Sequence, residues 1–174
     1  MSPFASLGLN PALAKAVTAL GARALPLKAD VTSADSVEAA VERTVKEFGG
    51  VNTLVCNAGV QKLKPFLDMK PEDWRQLMST NLEGAIVTIQ SVGRRLVAQK
   101  GGSVITMASI YSFVGAPGNS IYCLTKGGLA QLSKALAVEW ARYNVRVNTI
   151  CPGWIETDLT KPYMVDPKVT EAGL

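Results

Sequence analysis

The feature that most constrains the fold is an alternation along the chain between short, continuously apolar segments and longer segments with apolar residues at helical spacing. Continuous apolar runs are typical of strands in a parallel sheet, whereas half-exposed strands alternate polar and apolar residues. The pattern therefore predicts an α/β fold with a parallel sheet of about four strands and helices on both faces. The predicted strands are Ala24–Lys28, Thr53–Cys56, Ser103–Met107 and Val145–Cys151.

Capping residues and glycines mark the helices. Asn10 followed by Pro11 predicts the start of a first helix, and Ser33 predicts the start of a second one that Gly49 and Gly50 end. Two longer helices are predicted, one from about Pro71 to Gln99 and one from Asn119 or Ser120 to about Arg142.

The 174 residues include no histidine. This excludes Ser–His and Cys–His nucleophile pairs and His-ligated zinc, so proton transfer would have to use Tyr, Lys, Asp, Glu or water. We predict no metal site. The net charge of +4 is spread along the chain, which argues against a nucleic-acid partner.

Three cysteines lie far apart, each in or beside an apolar run. This is typical of reduced, buried thiols and favours a cytoplasmic protein. No segment has the length of a membrane span, and the first ten residues carry no positive charge of the kind found in secretory signals. We therefore expect no membrane partner.

Polar or Gly/Pro segments follow the predicted strands. Because ligands of open parallel sheets bind outside the carboxyl ends of the strands, these segments predict a ligand site. They contain Asp30, then Asn57 with Ala58 and Gly59, then Ser109, and finally Pro152, Gly153 and Trp154.

Tyr122 and Lys126 are four residues apart on a predicted helix, so their side chains share one face. An ammonium near a phenol lowers the pKa of the phenol and would make it a usable acid or base near neutral pH. Ser109 lies thirteen residues before Tyr122, at the end of a predicted strand. The alternatives are an amphipathic helix with a solvated lysine, and a serine that only satisfies the backbone of a turn.

With these motifs in this order, the chain resembles the short-chain dehydrogenase/reductase family over roughly Ala14 to Thr160. The resemblance implies a Rossmann-type domain that moves a hydride between NAD or NADP and a secondary alcohol or ketone. The matching segments are Ala29-Asp30-Val31, Asn57-Ala58-Gly59, Asn81 in Thr80-Asn81-Leu82-Glu83-Gly84, Ser109, Tyr122 with Lys126, Arg146-Val147-Asn148, Pro152-Gly153 and Thr157.

The resemblance also implies roles for single residues. Tyr122 would be the general base for alcohol oxidation and the general acid in reverse, and Lys126 would lower its pKa and bind the nicotinamide ribose. Ser109 would hold the substrate oxygen, and Asn81 would hold a water linked to Lys126. Besides Tyr122 and Lys126, the implied cofactor-binding residues are Asp30, Val31, Asn57, Ala58, Gly59, Pro152, Gly153, Ile155 and Thr157.

The sequence also departs from the family. It has no Gly-rich turn after an initial strand, so the first βαβ unit is missing from a partial doubly wound sheet. This leaves Thr53–Cys56 as an unpaired edge, or else the strand Ala24–Lys28 moves over and pairs with it directly. We expect residues 1–174 to form a single, incomplete domain, a fragment of a longer dehydrogenase. The alternative is a catalytically dead fragment that acts as an interaction or oligomerisation module through its long helices.

Gln61, Pro65 and the segment from Glu139 to Asn148 resemble the sugar-acid branch of the family, which includes gluconate 5-dehydrogenases. A sugar acid or polyol is therefore the expected small-molecule substrate, although the residues leave NAD against NADP open. Lys62 and Lys64 could attract a carboxylate or be solvated surface residues. The resemblance further implies a homodimer or homotetramer formed through the two long helices.

Overall fold

The computed structural model describes residues 11–161. Two helices, α1 (Pro11–Ala19) and α2 (Ala34–Phe48), precede the first strand, β1 (Thr53–Cys56). The chain continues through α3 (Pro71–Leu77), a π-helical segment (Met78–Glu83), α4 (Gly84–Ala98), β2 (Gly102–Met107), α5 (Ser120–Trp140) and β3 (Val145–Ile150). The predicted Asn10 cap lies outside the described residues.

The three strands form one parallel sheet in the order β1-β2-β3. Leu54 lies opposite Val104, and Val104 lies opposite Val147. This confirms the α/β fold with a parallel, Rossmann-type sheet. Among residues 11–161, β1 pairs with β2 alone, so Thr53–Cys56 is an edge, as predicted.

The predicted strand Ala24–Lys28 is wrong, because these residues have irregular backbone. A strand requires a neighbour that supplies ladder hydrogen bonds, and within residues 11–161 the free side of β1 does not pair with this segment. Pro26 also lacks a backbone donor, which weakens any pairing of this segment. The described sheet therefore has three strands rather than about four.

The described helices that pack against the sheet cover one face, whereas cover on both faces was predicted. Right-handed crossovers that run in one direction across a sheet place their helices on the same side, and both crossovers here run from β1 towards β3. On the opposite face Val55 is 52% exposed and Ile150 is 48% exposed. The core beneath the helices is apolar; it contains Val37, Val41, Ile89, Val92, Leu96, Val104, Val145 and Val147.

Local sequence signals fix both ends of α2. Ser33 Oγ accepts a hydrogen bond from Ser36 N at 3.3 Å, and Gly49 ends the helix in the left-handed conformation at φ 85°. Both ends agree with the prediction.

The predicted helix from Pro71 to Gln99 is continuous but not uniform. Its π-helical segment, Met78–Glu83, adds a residue to the turn that carries Asn81. Further along, the chain approaches α5 closely at Gly93, where a Cβ atom would lie 2.5 Å from Trp140 Cη2. Within residues 11–161, no helix combines the length and the apolar character needed to cross a membrane.

Candidate active site

The ends of β2 and β3 meet through backbone hydrogen bonds. Ala108 N donates to Ile150 O at 2.8 Å, and Ile110 N donates to Pro152 O at 3.0 Å. These bonds hold the loop after β3 against Ser109, the last residue before a short 3-10 turn. Ser109 Oγ accepts a hydrogen bond from Tyr111 N at 3.2 Å, which fixes the side chain at the end of the strand.

Tyr122 lies in the first turn of α5 and is 8% exposed. Its ring packs edge-on against Tyr111, with centroids 6.3 Å apart. Burial raises the pKa of Tyr122, and a hydrogen bond with Ser109 lowers it by less. The structure therefore brings Ser109 and Tyr122 together, with the phenol in its protonated form near neutral pH.

Lys126 lies one turn after Tyr122 and is 5% exposed. Its Nζ donates a hydrogen bond to Met107 O at 2.6 Å and lies 5.6 Å from the centroid of the Tyr122 ring. Burial lowers the pKa of Lys126 to about 8. At neutral pH the side chain is therefore still mainly an ammonium, held in place by a carbonyl.

The expected lowering of the Tyr122 pKa by Lys126 is not found. Burial of the phenol outweighs the other influences, and the direction of the shift is upward. The hydrogen bond from Lys126 goes to Met107 O, while the ammonium lies beside the face of the Tyr122 ring. Nearness in the helix therefore does not by itself generate a phenolate.

Asn81 is fully buried in the π-helical segment. Its Oδ1 accepts from Val60 N at 2.8 Å, and its Nδ2 donates to Val60 O at 2.9 Å and to Thr125 Oγ1 at 3.3 Å. One amide thus links the segment after β1 to the residue that precedes Lys126. An asparagine is unfavourable inside an ordinary helix, and these bonds explain why it is stable here.

Gly59 lies in the turn after β1, next to Asn81 and Lys126. A Cβ atom at this position would lie 3.5 Å from both Asn81 Oδ1 and Lys126 Nζ. Asn57 and Ala58 lie in the same turn, where both are exposed. The four predicted catalytic residues and the glycine turn therefore converge at the carboxyl ends of the strands.

The remaining predicted cofactor residues occupy two loops. Asp30 is exposed, and its Oδ1 accepts from Thr32 N at 2.9 Å and from Thr32 Oγ1 at 2.7 Å, which lowers the Asp30 pKa. Val31 packs against the start of α4, where a Cβ atom on Gly84 would lie 2.8 Å from it. This packing gives Val31 a structural task in addition to its predicted one.

The loop after β3 holds the other predicted cofactor residues. Pro152 is tied to the 3-10 turn as described, and Gly153 lines the cavity beside Tyr122. Ile155 is 59% exposed, and the Thr157 hydroxyl pairs with Thr160 Oγ1 at 3.1 Å. Gly153 therefore lies at the same cavity as Ser109 and Tyr122, whereas Ile155 and Thr157 lie farther along the loop.

The donor set fits a nicotinamide dinucleotide. Asp30 is a carboxylate that could accept from the adenine amino group, and Lys126 is a buried ammonium with three N–H donors, one of which bonds Met107 O. Gly59 has no side chain beside Lys126, so its backbone is open to a ligand there.

The cavity beside Tyr122 is lined in part by Gln61, Tyr111, Trp154 and Thr160. Trp154 lies in one of the strand-end segments that were predicted to form a ligand site. Tyr111 and Thr160 were not predicted, although Tyr111 lies only two residues after Ser109. Gln61 was noted for the resemblance to the sugar-acid branch, but no pattern in the sequence placed its side chain in the cavity.

Comparisons with known proteins agree with this geometry. A family model described as short chain dehydrogenase matches residues 7–167. The chain is 36% identical over 151 residues to 2-dehydro-3-deoxy-D-gluconate 5-dehydrogenase of Escherichia coli, covering 86% of this chain and 60% of that protein. It is 34% identical over 157 residues to 3-oxoacyl-[acyl-carrier-protein] reductase FabG of Staphylococcus epidermidis, covering 90% of this chain and 64% of that protein.

The fold is also found in solved structures. A gluconate 5-dehydrogenase from Burkholderia cenocepacia, solved with NADP and tartrate, superposes with a TM-score of 0.87 at 32% identity. The match covers 92% of this chain and 63% of that one. The chain thus spans about three fifths of the length of the relatives it matches.

Proposed function

This chain belongs to the short-chain dehydrogenase family, and we propose that it carries the catalytic part of an NAD(P)-dependent oxidoreductase acting on secondary alcohols and ketones. Two neighbouring contacts carry the proposal: Ser109 and Tyr122 line one cavity, and Lys126, one turn after Tyr122, lies with Asn81 against the glycine turn. Separately, each residue also has an ordinary structural explanation. Together they form a proton-transfer site that needs no histidine.

Tyr122 moves the proton. In alcohol oxidation, ionised Tyr122 would accept the substrate hydroxyl proton as the substrate C–H bond breaks and its hydrogen leaves with the bonding electron pair, as hydride, for a bound oxidised nicotinamide. In ketone reduction, the Tyr122 hydroxyl donates its proton to the carbonyl oxygen. The raised pKa keeps this phenol protonated at neutral pH, which suits the direction of ketone reduction.

Ser109 and Lys126 assist the proton transfer by Tyr122 in two different ways. Ser109 Oγ bonds Tyr122 and would donate to the substrate oxygen, where negative charge develops. The Lys126 ammonium favours the phenolate whenever Tyr122 gives up its proton, because an opposite charge stabilises the ionised form. Asn81 bonds Val60 and Thr125, the residue before Lys126, and would hold a water that joins Lys126 to solvent.

The residues that would hold the cofactor are those of the two strand-end loops and Lys126. A bound nicotinamide dinucleotide supplies the hydride chemistry itself. Lys126 would bond the ribose hydroxyls, Asp30 the adenine amino group, and the backbone of Gly59 would allow close approach. Pro152, Gly153, Ile155 and Thr157 would lie along the nicotinamide.

A sugar acid or polyol is the proposed substrate class. The support is the similarity to a 2-dehydro-3-deoxy-D-gluconate 5-dehydrogenase and to a gluconate 5-dehydrogenase solved with tartrate. The competing substrate class is a ketone of an acyl thioester, which the similarity to a 3-oxoacyl-[acyl-carrier-protein] reductase supports.

We also propose a homodimer or homotetramer formed through α4 and α5, in the cytoplasm. Support comes from apolar side chains on the outward side of α5, where Val138 is 83% exposed and Leu124 is 55% exposed. Leu124 and Val138 are fourteen positions apart, about four helical turns, so they fall along one stripe of the helix. A reducing compartment suits the three free cysteines.

The test is titration of the protein with NADH and NADPH, followed by nucleotide fluorescence, and then turnover with gluconate and butane-2,3-diol. Tyr122→Phe should lower kcat by about a hundredfold or more while the nucleotide affinity changes little, because the ring is kept and the proton donor is lost. Tyr143→Phe is the matched control, since Tyr143 contacts Arg142 rather than the cavity.

A folded protein that binds neither nucleotide, up to millimolar concentration, would contradict the proposal. The same holds if Tyr122→Phe and Tyr143→Phe behave alike. Either result would favour the alternative in which the chain is an interaction module built on its long helices.

A further inference from the structure

One amide side chain, that of Gln61, forms part of the cavity wall, and a second amide, that of Asn119, lies behind it. Gln61 lines the cavity together with Ser109 and Tyr122, and its Nε2 donates to Asn119 Oδ1 at 3.0 Å. Asn119 is 3% exposed and precedes α5, three residues before Tyr122. The bond therefore links the segment after β1 to the element that carries the proton donor.

The same two segments are joined at a second point. Lys64 N donates to Gly118 O at 2.9 Å, next to Asn119. A Cβ atom on Gly118 would lie 3.3 Å from the Leu63 side chain, so the two loops are in close contact. Gln61 is consequently held at a fixed position relative to Tyr122 rather than free to turn towards solvent.

The chemistry of this wall suits a hydroxyl group. A glutamine amide has two N–H donors and an acceptor oxygen, and the bond to Asn119 uses one of the donors. The acceptor oxygen and the second donor are left for a ligand, and a hydroxyl group both donates and accepts. Across the cavity Tyr111 and Trp154 pack edge-on, 6.5 Å apart, and offer an apolar surface to carbon-bound hydrogens.

The described part of this wall is also uncharged. The residues that line the cavity within residues 11–161 carry no ionised side chain at neutral pH. The next cations along the chain, Lys62 and Lys64, both donate to the carboxylate of Asp73 and so are already paired. A substrate carboxylate would find no free counter-ion on this wall, whereas an uncharged hydroxyl group would find the amide.

We propose that Gln61, oriented by Asn119, determines substrate specificity by binding a hydroxyl group on the carbon next to the reacting carbon. The proposal rests on the proposed function, because Ser109 and Tyr122 must hold the reacting oxygen for Gln61 to face the neighbouring carbon. It assigns the site to vicinal diols and hydroxyketones, in preference to substrates that carry only hydrogen or an acyl chain at that carbon.

The test compares two alcohols that differ only in this group, butane-2,3-diol and butan-2-ol. We expect the wild-type kcat/KM for the diol to exceed that for the mono-alcohol by about tenfold, as one hydrogen bond to a half-buried, oriented amide allows. In Gln61→Met, which keeps the length of the side chain, the ratio should fall to about one. In Asn119→Ala the ratio should fall by about threefold, because Gln61 is present but no longer oriented.

The control is Gln90→Met, the same change at an exposed position of α4, in which the ratio should stay at the wild-type value. Thermal unfolding of each variant shows whether it folds. Equal kcat/KM for the two alcohols in the wild type, or an unchanged ratio in both Gln61→Met and Asn119→Ala, would overturn the role of Gln61 and leave the proposed function standing. A folded wild-type protein that oxidises neither alcohol nor gluconate would overturn both.

Discussion

The burial of Lys126 makes the stability of this protein depend on pH in a predictable direction. In the unfolded chain the lysine has its ordinary pKa of 10.5, and in the folded protein burial lowers that value to about 8. Between these two values the folded protein has released the proton and the unfolded chain still holds it. Because the unfolded state then binds more protons, the free energy of unfolding rises with pH across this window.

The size of the effect follows from the two pKa values. A difference of one unit corresponds to about 1.4 kcal/mol, so keeping Lys126 charged in the folded state costs about 3 kcal/mol at pH 7. Most of this cost disappears once the buried amine is neutral. From pH 7 to pH 9.5 we expect the free energy of unfolding to rise by about 2 kcal/mol from this residue alone.

The measurement is urea unfolding at several pH values in this range, for the wild type and for Lys126→Met. The variant keeps most of the side-chain volume and removes the titrating group, so the difference in pH dependence between the two proteins isolates Lys126. Tyr122 is present in both proteins, and burial moves its pKa upward, away from that of Lys126. A single pH is not enough, since Lys126→Met also removes the hydrogen bond to Met107 O.

Parallel pH profiles for the wild type and Lys126→Met would refute the reasoning, because they would mean that Lys126 has the same pKa in both states. A direct check is the amine resonance of Lys126 in a nitrogen-15 NMR titration. A midpoint near 10.5 in the folded protein would contradict the predicted burial effect.

Two further predictions concern packing and assembly. Gly93→Ala should lower the free energy of unfolding by about 1–3 kcal/mol, because the new Cβ would lie 2.5 Å from Trp140 Cη2. The matched control is Gly115→Ala, because no atom lies within 4 Å of the Cβ position there. Equal midpoints of urea unfolding for the two variants would contradict this packing. If α5 forms the interface between copies, Val138→Glu should shift the sedimentation coefficient towards the monomer at micromolar concentration, because a charge would be buried there. A wild-type protein that sediments only as a monomer would contradict the assembly.

The sequence was informative wherever the signal was local. Tyr122 and Lys126 share a helix face because four residues make about one turn, and Ser109 ends a strand whose apolar run is visible in the sequence. The caps of α2 were predictable for the same reason, since Ser33 and Gly49 act on neighbouring backbone groups. The structure brings these predicted catalytic side chains together, while their catalytic roles stay predictions.

The features that could not be predicted depend on contacts between distant residues. Ala24–Lys28 has the composition of a strand, yet a strand also needs a partner, and pairing is decided elsewhere in the chain. The Tyr122 pKa is set by the burial of the phenol, which only the folded packing determines. The bond between Gln61 and Asn119 joins residues 58 positions apart, and no periodicity in the sequence reports it.

The π-helical segment around Asn81 makes insertions and deletions unequal at this point of the chain. Each residue of a helix adds about 100° of rotation and about 1.5 Å of rise, so a one-codon insertion between Leu77 and Gly84 would rotate α3, which carries Asp73, relative to α4. A one-codon deletion would instead remove the extra residue of the wide turn and let it close as ordinary α-helix, with the flanking helices nearly in place. The loss would then fall on the bonds that Asn81 makes with Val60 and Thr125.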